Sequence, residues 1–581
     1  MLIKAVEVAM ALAPSAATIT ISQTLALLDG PFRSFAVGVA EDRYAFWLGS
    51  GISFGRVDGL KQVIPRVIEF LRMRIDLGNP ACRFNAALAQ ALGLAQLSPE
   101  EQARVDLARP FAEWPDADAI TGRLIGNYAR LLETTVEGEA DDFVLWNAVD
   151  IASTFADPGL EPDVEHLCIA ILLLEGVSSD IASANWDGLV EKAVETLTGG
   201  APALVVNVRP EDLREPQQRA RLFKFHGCAV KATADEATYR SCLVGRQSQI
   251  HGWVARQDNA PIVQRLIDLI TTKPTLMMGL SAQDANIQAI FAAAEARMAW
   301  PWPGDRPSYV FSENAIGVDQ QGLLRNVYRA AYTPGTRQQI LDGALIRAYA
   351  KSLLVSLVLH VLCAKLRRLI ELAPGLLGPA DRERLQAGVF AVRDRLAASA
   401  EPDRMAFIRS LIDQSSRAIM MFRDGHAPTA ARPYNPISPV PIQQFPGDMT
   451  LPASGLREAA VAAGILGLGI DEGAWALDGV DAADETSGIV RVTSAAGSAK
   501  VFLVANSYAA LRLQHHGHLV DDEDAIVIYS LETTPALPRS PRGAPGRTGR
   551  LGLREVSIAN LVSTTASSAE LVQRFREEVA L

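Results

Sequence analysis

Cysteine is scarce in this chain: Cys82, Cys168, Cys228, Cys242 and Cys363 are the only five in 581 residues, and no two form a CxxC pair. That scatter excludes a disulfide framework, a zinc ribbon and a thioredoxin-type redox motif, and it fits a reducing cytoplasm. Long apolar runs are missing too. The longest uncharged helical stretch, Ser352 to Ala364, has 13 residues between Lys351 and Lys365, whereas a membrane span needs ~20. It reads as a buried helix. There is no excess of positive charge: 55 Lys and Arg stand against 66 Asp and Glu, a net charge of −11. The chain as a whole is therefore no nucleic-acid coat, and any polyanion must meet a local patch. Internal repeats with a period of about 20 to 50 residues are also lacking.

What is present is a globular composition, 49% hydrophobic and 21% charged. It excludes a disordered or fibrous protein and suffices for about three or four domains with full cores. The apolar stretch from Met1 to Thr18 is interrupted by Glu7 and has only Lys4 as a positive residue. It reads as a cytoplasmic start rather than a signal peptide.

Periodicity divides the chain further. Residues 19 to 41 read as a lead-in helix, followed by Tyr44-Ala-Phe-Trp-Leu48, a short apolar run ending at glycine as a buried parallel strand does. Residues about 60 to 175 carry apolar residues at three- and four-residue spacing, as in Val63-Ile64-Val67-Ile68-Leu71, and predict a large helical insertion. Short β-like runs follow at 177–184, 203–208, 222–225, 275–278 and 308–311, with helices between most of them. Such alternation predicts a mostly parallel sheet covered on both faces. Residues 316–425 read as a helical region and 426–453 as a proline-rich linker. Residues 454–581 read as a small α+β domain that senses a signal or docks a partner.

In open sheets of this type, ligands bind beyond the carboxyl ends of the strands. Four of those ends carry recognisable residues: Gly49-Ser50-Gly51-Ile52-Ser53, Ser183-Ala184-Asn185-Trp186-Asp187-Gly188-Leu189, Phe225-His226-Gly227, and Gly279-Leu280-Ser281 with Asp284 and Asn286. In this order they resemble the GAGxS, T-x-N-x-D-G-L, H-G and G-x-S-x-x-D-x-N motifs of the sirtuin-like (silent information regulator type) family, over roughly residues 35 to 315. The resemblance implies an α/β, Rossmann-like domain over residues 1–315 that takes NAD as substrate. It implies Asn185 and His226 as the catalytic pair, and Gly49, Ser50, Gly51, Ser53, Asp187, Gly279, Ser281, Asp284 and Asn286 as NAD-binding residues. Ser312 and Asn314 are further candidates for the adenine end.

The chemistry of these residue types agrees with the resemblance. A glycine turn lets backbone N–H groups approach a pyrophosphate. The nicotinamide of NAD is already a cationic leaving group, so the site need supply only position, stabilisation of an oxocarbenium-like centre and a nucleophile. The Asn185 amide can hold a ribose hydroxyl or water without repelling that charge, and a histidine such as His226 can take a proton near neutral pH.

Departures from the family pattern are informative. Sirtuin deacylases carry two CxxC pairs after the H-G; here only Cys228 and Cys242 fall in that interval, so no zinc is expected. The G-I-P-D-F-R segment is replaced by Phe54-Gly-Arg-Val-Asp58. With the helical insertion, this resembles bacterial sirtuin-like proteins that hydrolyse NAD in antiphage defence. That likeness implies regulation through a homo-oligomer or an activating partner such as a ring ATPase, a prokaryotic Argonaute or a phage protein. The alternatives are an NAD or ADP-ribose sensor without turnover, and a protein deacylase.

A rival from another class is the G-x-S-x-G nucleophile elbow, met by Gly51-Ile52-Ser53-Phe54-Gly55 with Asp187 and His226 in triad order. Only one clear strand precedes Ser53, which counts against it. His515, His516 and His518 beside Asp521, Asp522, Glu523 and Asp524 read as a solvated loop, with a metal site as the sharper alternative. Arg539, Arg542, Arg547, Arg550 and Arg554 have no interleaved aromatics, which argues against direct nucleic-acid binding by base stacking.

Overall fold

The computed structural model describes residues 14–79, 81–427, 433–481, 484–520, 524–531 and 553–581. The apolar start up to residue 13, Asp521 to Glu523, and the arginines from 539 to 550 lie outside the described residues.

The first sheet is all parallel and has seven strands: β1 (Ala45–Leu48), β2 (Asp180–Ser183), β3 (Leu204–Asn207), β4 (Ala220–Lys224), β5 (Thr275–Met278), β6 (Tyr309–Ser312) and β7 (Leu345–Ile346). Their spatial order is β3-β4-β2-β1-β5-β6-β7. β1 is central, with Phe46 level with Ile181 of β2 on one side and Leu276 of β5 on the other. Its side chains alternate between two cores. Phe46 and Leu48 join the core built from helices Ile21–Asp29, Arg33–Ala40, Val164–Leu174 and Ala350–Glu371. Ala45 and Trp47 join the opposite core, with helices Ala260–Thr272 and Ala285–Arg297. A strand buried on both faces must be apolar throughout, which is why Ala-Phe-Trp-Leu stands there.

The chain leaves β1, returns in β2 on one side, and later places β5 on the other. The crevice at this change of direction lies at the carboxyl ends of β1, β2 and β5. Between β1 and β2 the helical segment forms its own core, with Val63, Ile64, Val67, Ile68 and Leu71 of helix Leu60–Arg72 all buried. Helix Val164–Leu174 returns the chain to the sheet with every residue buried.

The sheet runs past residue 315, because β7 lies within the region read as helical. A two-residue strand carries too little alternation to be seen in sequence. Helix Pro379–Ala398 then crosses helix Leu456–Asp471, with Gly388 against Gly464 and Gly467 backbone to backbone. Through this crossing the helical region and the C-terminal unit share one core. The second sheet is mixed, in the order β12-β11-β10-β9-β8. Its strands are β8 (Trp475–Asp478), β9 (Val490–Ser494), β10 (Gly497–Val504), β11 (Ala525–Tyr529) and β12 (Arg554–Ser557); β10, β11 and β12 run parallel, and β8 to β10 antiparallel.

The proline-rich segment from 433 onward is packed rather than loose. Tyr434, Ser438 and Phe445 are buried, and Tyr434 Oη donates to Glu175 at 2.7 Å. No helix among the described residues is long and apolar enough to cross a membrane. The Ser352 to Ala364 run lies within helix Ala350–Glu371, buried against the helices that flank β1.

Candidate active site

Two glycine turns meet at the crevice. Gly49 N–H donates to the Met278 carbonyl at 3.0 Å, and Gly51 N–H to the Gly279 carbonyl at 3.1 Å. A Cβ on Gly51 would lie 2.6 Å from Gly279 Cα, and Gly279 itself has φ +61°. These glycines are thus required first by the contact of the β1 and β5 turns. Their amides are already engaged, so the expectation that they cradle a pyrophosphate finds both donors spoken for. Ser50 and Ser281, on the same two turns, are exposed.

Asn185 follows β2 and is held from below. Its Nδ2 donates to the Gly49 carbonyl at 3.1 Å and approaches Ser53 Oγ at 3.5 Å. No hydrogen bond reaches its Oδ1 among the described residues, which leaves that acceptor unused. Ser53, fully buried, donates to Asp187 Oδ2 at 3.0 Å and lies 3.2 Å from His166 Nε2. His166 Nδ1 accepts the Asp163 N–H at 3.1 Å, so the proton of the neutral ring sits on Nε2 and points at Ser53; this tautomer follows from the bonding pattern. Burial pulls the His166 pKa down to about 4, against the opposing pull of Asp187 and Asp163.

That wiring removes the esterase-type reading. A serine nucleophile must give its proton to histidine, whereas Ser53 gives its proton to Asp187 and receives one from His166. His226, the third member of that constellation, is bonded elsewhere. Asp187 therefore orients Ser53 and accepts the Leu189 N–H at 3.2 Å, at the start of helix Leu189–Thr198.

Sequence reasoning missed Lys224, at the end of β4. Its ammonium is buried and donates to the carbonyls of Trp186 and Asp187, to Glu191 Oε1 at 2.8 Å and to Cys228 Sγ at 3.4 Å. Burial works against its charge, yet Cys228, Glu191 and Asp187 raise its pKa above the ordinary lysine value. Lys224 thereby clamps the segment that carries Asn185. His166 was missed as well. A lysine at the last position of a strand and a histidine on a buried helix carry no local signal of this use.

His226 lies across the crevice. Its Nε2 is 3.4 Å from Asn286 Nδ2 and 3.6 Å from Asp284 Oδ1. Since an amide NH₂ can only donate, the ring accepts there and carries its proton on Nδ1. Burial lowers the His226 pKa, with Asp284 opposing. Asp284 caps helix Ala285–Arg297, accepting from Asn286 N and Ile287 N. Trp186 Nε1 donates to the His226 carbonyl at 2.9 Å, tying the Asn185 segment to the His226 segment. The loops after β4 and β5 therefore meet although β2 and β1 separate their strands, arching over the crevice.

Other candidates are used structurally. Ser312 Oγ donates to the Ala348 carbonyl at 2.6 Å, and Asn314 Oδ1 accepts the Ala16 N–H at 3.0 Å. All five cysteines are free thiols. His516 and His518 gather with His426, ring centroids 5.3 to 5.8 Å apart, but no group of His, Cys, Asp and Glu among the described residues could hold a metal ion.

Residues 179–330 match the family model described as SIR2-like domain. The match spans β2 to β6 and includes Asn185, His226, Asp284 and Asn286, while β1 with its glycine turn is supplied from before the helical insertion. No curated protein matches the chain. With the strand order, the crevice and this match in agreement, the chain carries a SIR2-like domain over residues 179–330, a kind of domain that uses NAD.

Proposed function

We propose that the chain is an NAD hydrolase that cleaves the bond between nicotinamide and ribose, giving nicotinamide and ADP-ribose. The observation that carries this reading is the placement of two neutral polar side chains, Asn185 and His226, on facing segments of the crevice. In this mechanism Asn185 Oδ1 accepts from a ribose hydroxyl or from the attacking water. The C1′–N bond breaks, its electron pair leaves with neutral nicotinamide, and a water oxygen bonds to C1′. The water's proton passes to His226 Nε2, whose lone pair Asn286 now occupies. Burial keeps His226 unprotonated at pH 7 and thus able to accept.

Asn185, Asp187, His226 and Asn286 are each at least nine-tenths buried. NAD can touch them only when the loops after β4 and β5 part. A closed resting state supports regulation, which the depletion of a cell's NAD demands. We therefore propose an antiphage defence effector, cytoplasmic and homo-oligomeric, opened by an activating protein such as a ring ATPase, a prokaryotic Argonaute or a phage protein. The lack of two CxxC pairs favours hydrolysis over protein deacylation.

The test is nicotinamide and ADP-ribose release from NAD by purified wild type, Asn185→Ala and His226→Ala, with NAD followed in cells expressing each. Release or cellular NAD loss with wild type alone is expected. Equal release by all three would overturn the assignment of the site, and binding without turnover in the tube and in cells would make the domain a sensor.

A further inference from the structure

A cleft of about 1160 Å³ opens between helices Arg33–Ala40, Ala350–Glu371 and Pro379–Ala398, and none of the residues assigned to the NAD crevice lines it. Its volume suits a ligand of nucleotide size. Most of the acids on its walls are already matched. Asp29 and Asp394 are both held by Arg393, with Asp29 bound through both oxygens at 3.0 and 2.7 Å. Glu371 is held by Arg368, and Glu41 by Arg43 and Arg306. Glu383 is the wall acid without an ion partner among the described residues.

Several donors are not matched. Arg33 is exposed and makes no side-chain bond among the described residues. Among the described residues Arg367 hydrogen-bonds only to Gln386, at 3.1 Å, and its Nε is buried with no acceptor. His360 is 7% exposed, and both of its ring nitrogens are buried without a hydrogen-bond partner within 3.5 Å among the described residues; Nδ1 faces Asp29 Oδ1 at 3.8 Å, and, against the effect of burial, His360 helps to hold the Asp29 carboxyl below its ordinary value. An unmade bond at a buried polar group costs on the order of 1–3 kcal/mol, and two such donors in residues lining one cleft, Arg367 Nε and the single N–H of a neutral His360 ring, call for a ligand that supplies acceptors. The Phe390 ring carries the guanidinium groups of Arg367 and Arg393 at 4.4 and 4.6 Å. Stacked aromatic and guanidinium planes form a flat surface of the kind on which a nucleobase lies.

We propose that this cleft binds a nucleoside phosphate, its phosphates received by Arg33, Arg367 and His360 and its base by the Phe390 plate. The site is separate from the NAD crevice and does not depend on that reading. The ligand would join the helices that precede β1 to helix Pro379–Ala398, whose other face shares a core with the C-terminal sheet, and so links the two halves of the chain.

Titration calorimetry of the full chain with ATP, and separately with inorganic pyrophosphate, tests this. Saturable ATP binding is expected, weakened about tenfold or more in Arg33→Ala and in Arg367→Met, and unchanged in Asn185→Ala. Pyrophosphate should bind more weakly than ATP and depend on the same arginines. Arg33 is exposed and has no side-chain partner among the described residues, so its variant folds as wild type does. No saturable binding of either probe at millimolar concentration, or ATP binding that is indifferent to both arginines, would overturn the proposal. So would ATP binding that falls with Asn185→Ala alone.

Discussion

His166 shows how one buried side chain sets the character of its neighbours. It accepts a backbone N–H on one nitrogen and directs the other at Ser53, and its low pKa keeps it neutral in this role. An unfolded histidine takes up a proton near pH 6.5, whereas folded His166 refuses it until about pH 4. In that interval the unfolded state binds more protons, so stability falls as the pH is lowered. Relative to His166→Gln, the wild type should lose on the order of 3 kcal/mol between pH 6.5 and 4. Urea midpoints of both proteins across this range check it; parallel pH profiles would mean that His166 is not a neutral buried donor.

The crossing of helices Pro379–Ala398 and Leu456–Asp471 depends on residues with no side chain. A Cβ on Gly467 would fall on the Gly388 carbonyl oxygen, and one on Gly388 on that of Gly464. Glycine costs a helix about 1 kcal/mol relative to alanine, and here close approach outweighs that cost. Gly467→Ala should therefore destabilise by about 1–3 kcal/mol through forced separation of the helices. Gly122→Ala, in helix Ala117–Ile125 where an added Cβ meets nothing within 4 Å among the described residues, should be neutral or stabilising. Thermal unfolding of the two variants, read side by side, separates packing from propensity.

The halves of the molecule are also joined by a charge pair with no exposed surface. Lys365, on the helix that flanks β1, donates to Glu175 Oε2 and to the Glu175 carbonyl at 2.6 Å, and to the Ser438 carbonyl at 2.5 Å. Glu175 in turn receives Tyr434 and the Ile437 N–H. The segment around 433–438 is thus pinned to the turn before β2. Lys365→Met leaves the Glu175 carboxylate buried and unpaired and should cost about 3–5 kcal/mol. Glu175→Gln added to it should recover part of that loss, because the remaining side chain is neutral and can still hydrogen-bond. Denaturant unfolding, with limited proteolysis after residue 433, reads both effects; equal stability of the single and double variants would count against the pair as the clamp.

By itself, the sequence determined the parallel sheet and which polar residues stand at the ends of its strands. Runs such as Ala45 to Leu48, apolar throughout and closed by glycine, have few outcomes other than a central strand, and the polar residues that follow them fall at the strand ends by necessity. Asn185, His226, Asp284 and Asn286 were legible as strand-end residues for that reason. Tertiary structure decided what those residues touch. That Ser53 answers to His166 rather than His226, that Lys224 clamps the Asn185 segment, and that the β4 and β5 loops close over the crevice all depend on contacts between residues tens to more than a hundred positions apart. The proline-rich segment reads as a linker because proline excludes helix and central strand. It does not exclude burial, and only the Glu175 carboxylate waiting beneath Tyr434 made the difference. Local pattern fixes the elements; which side chains meet between them follows from their packing, and no local pattern encodes it.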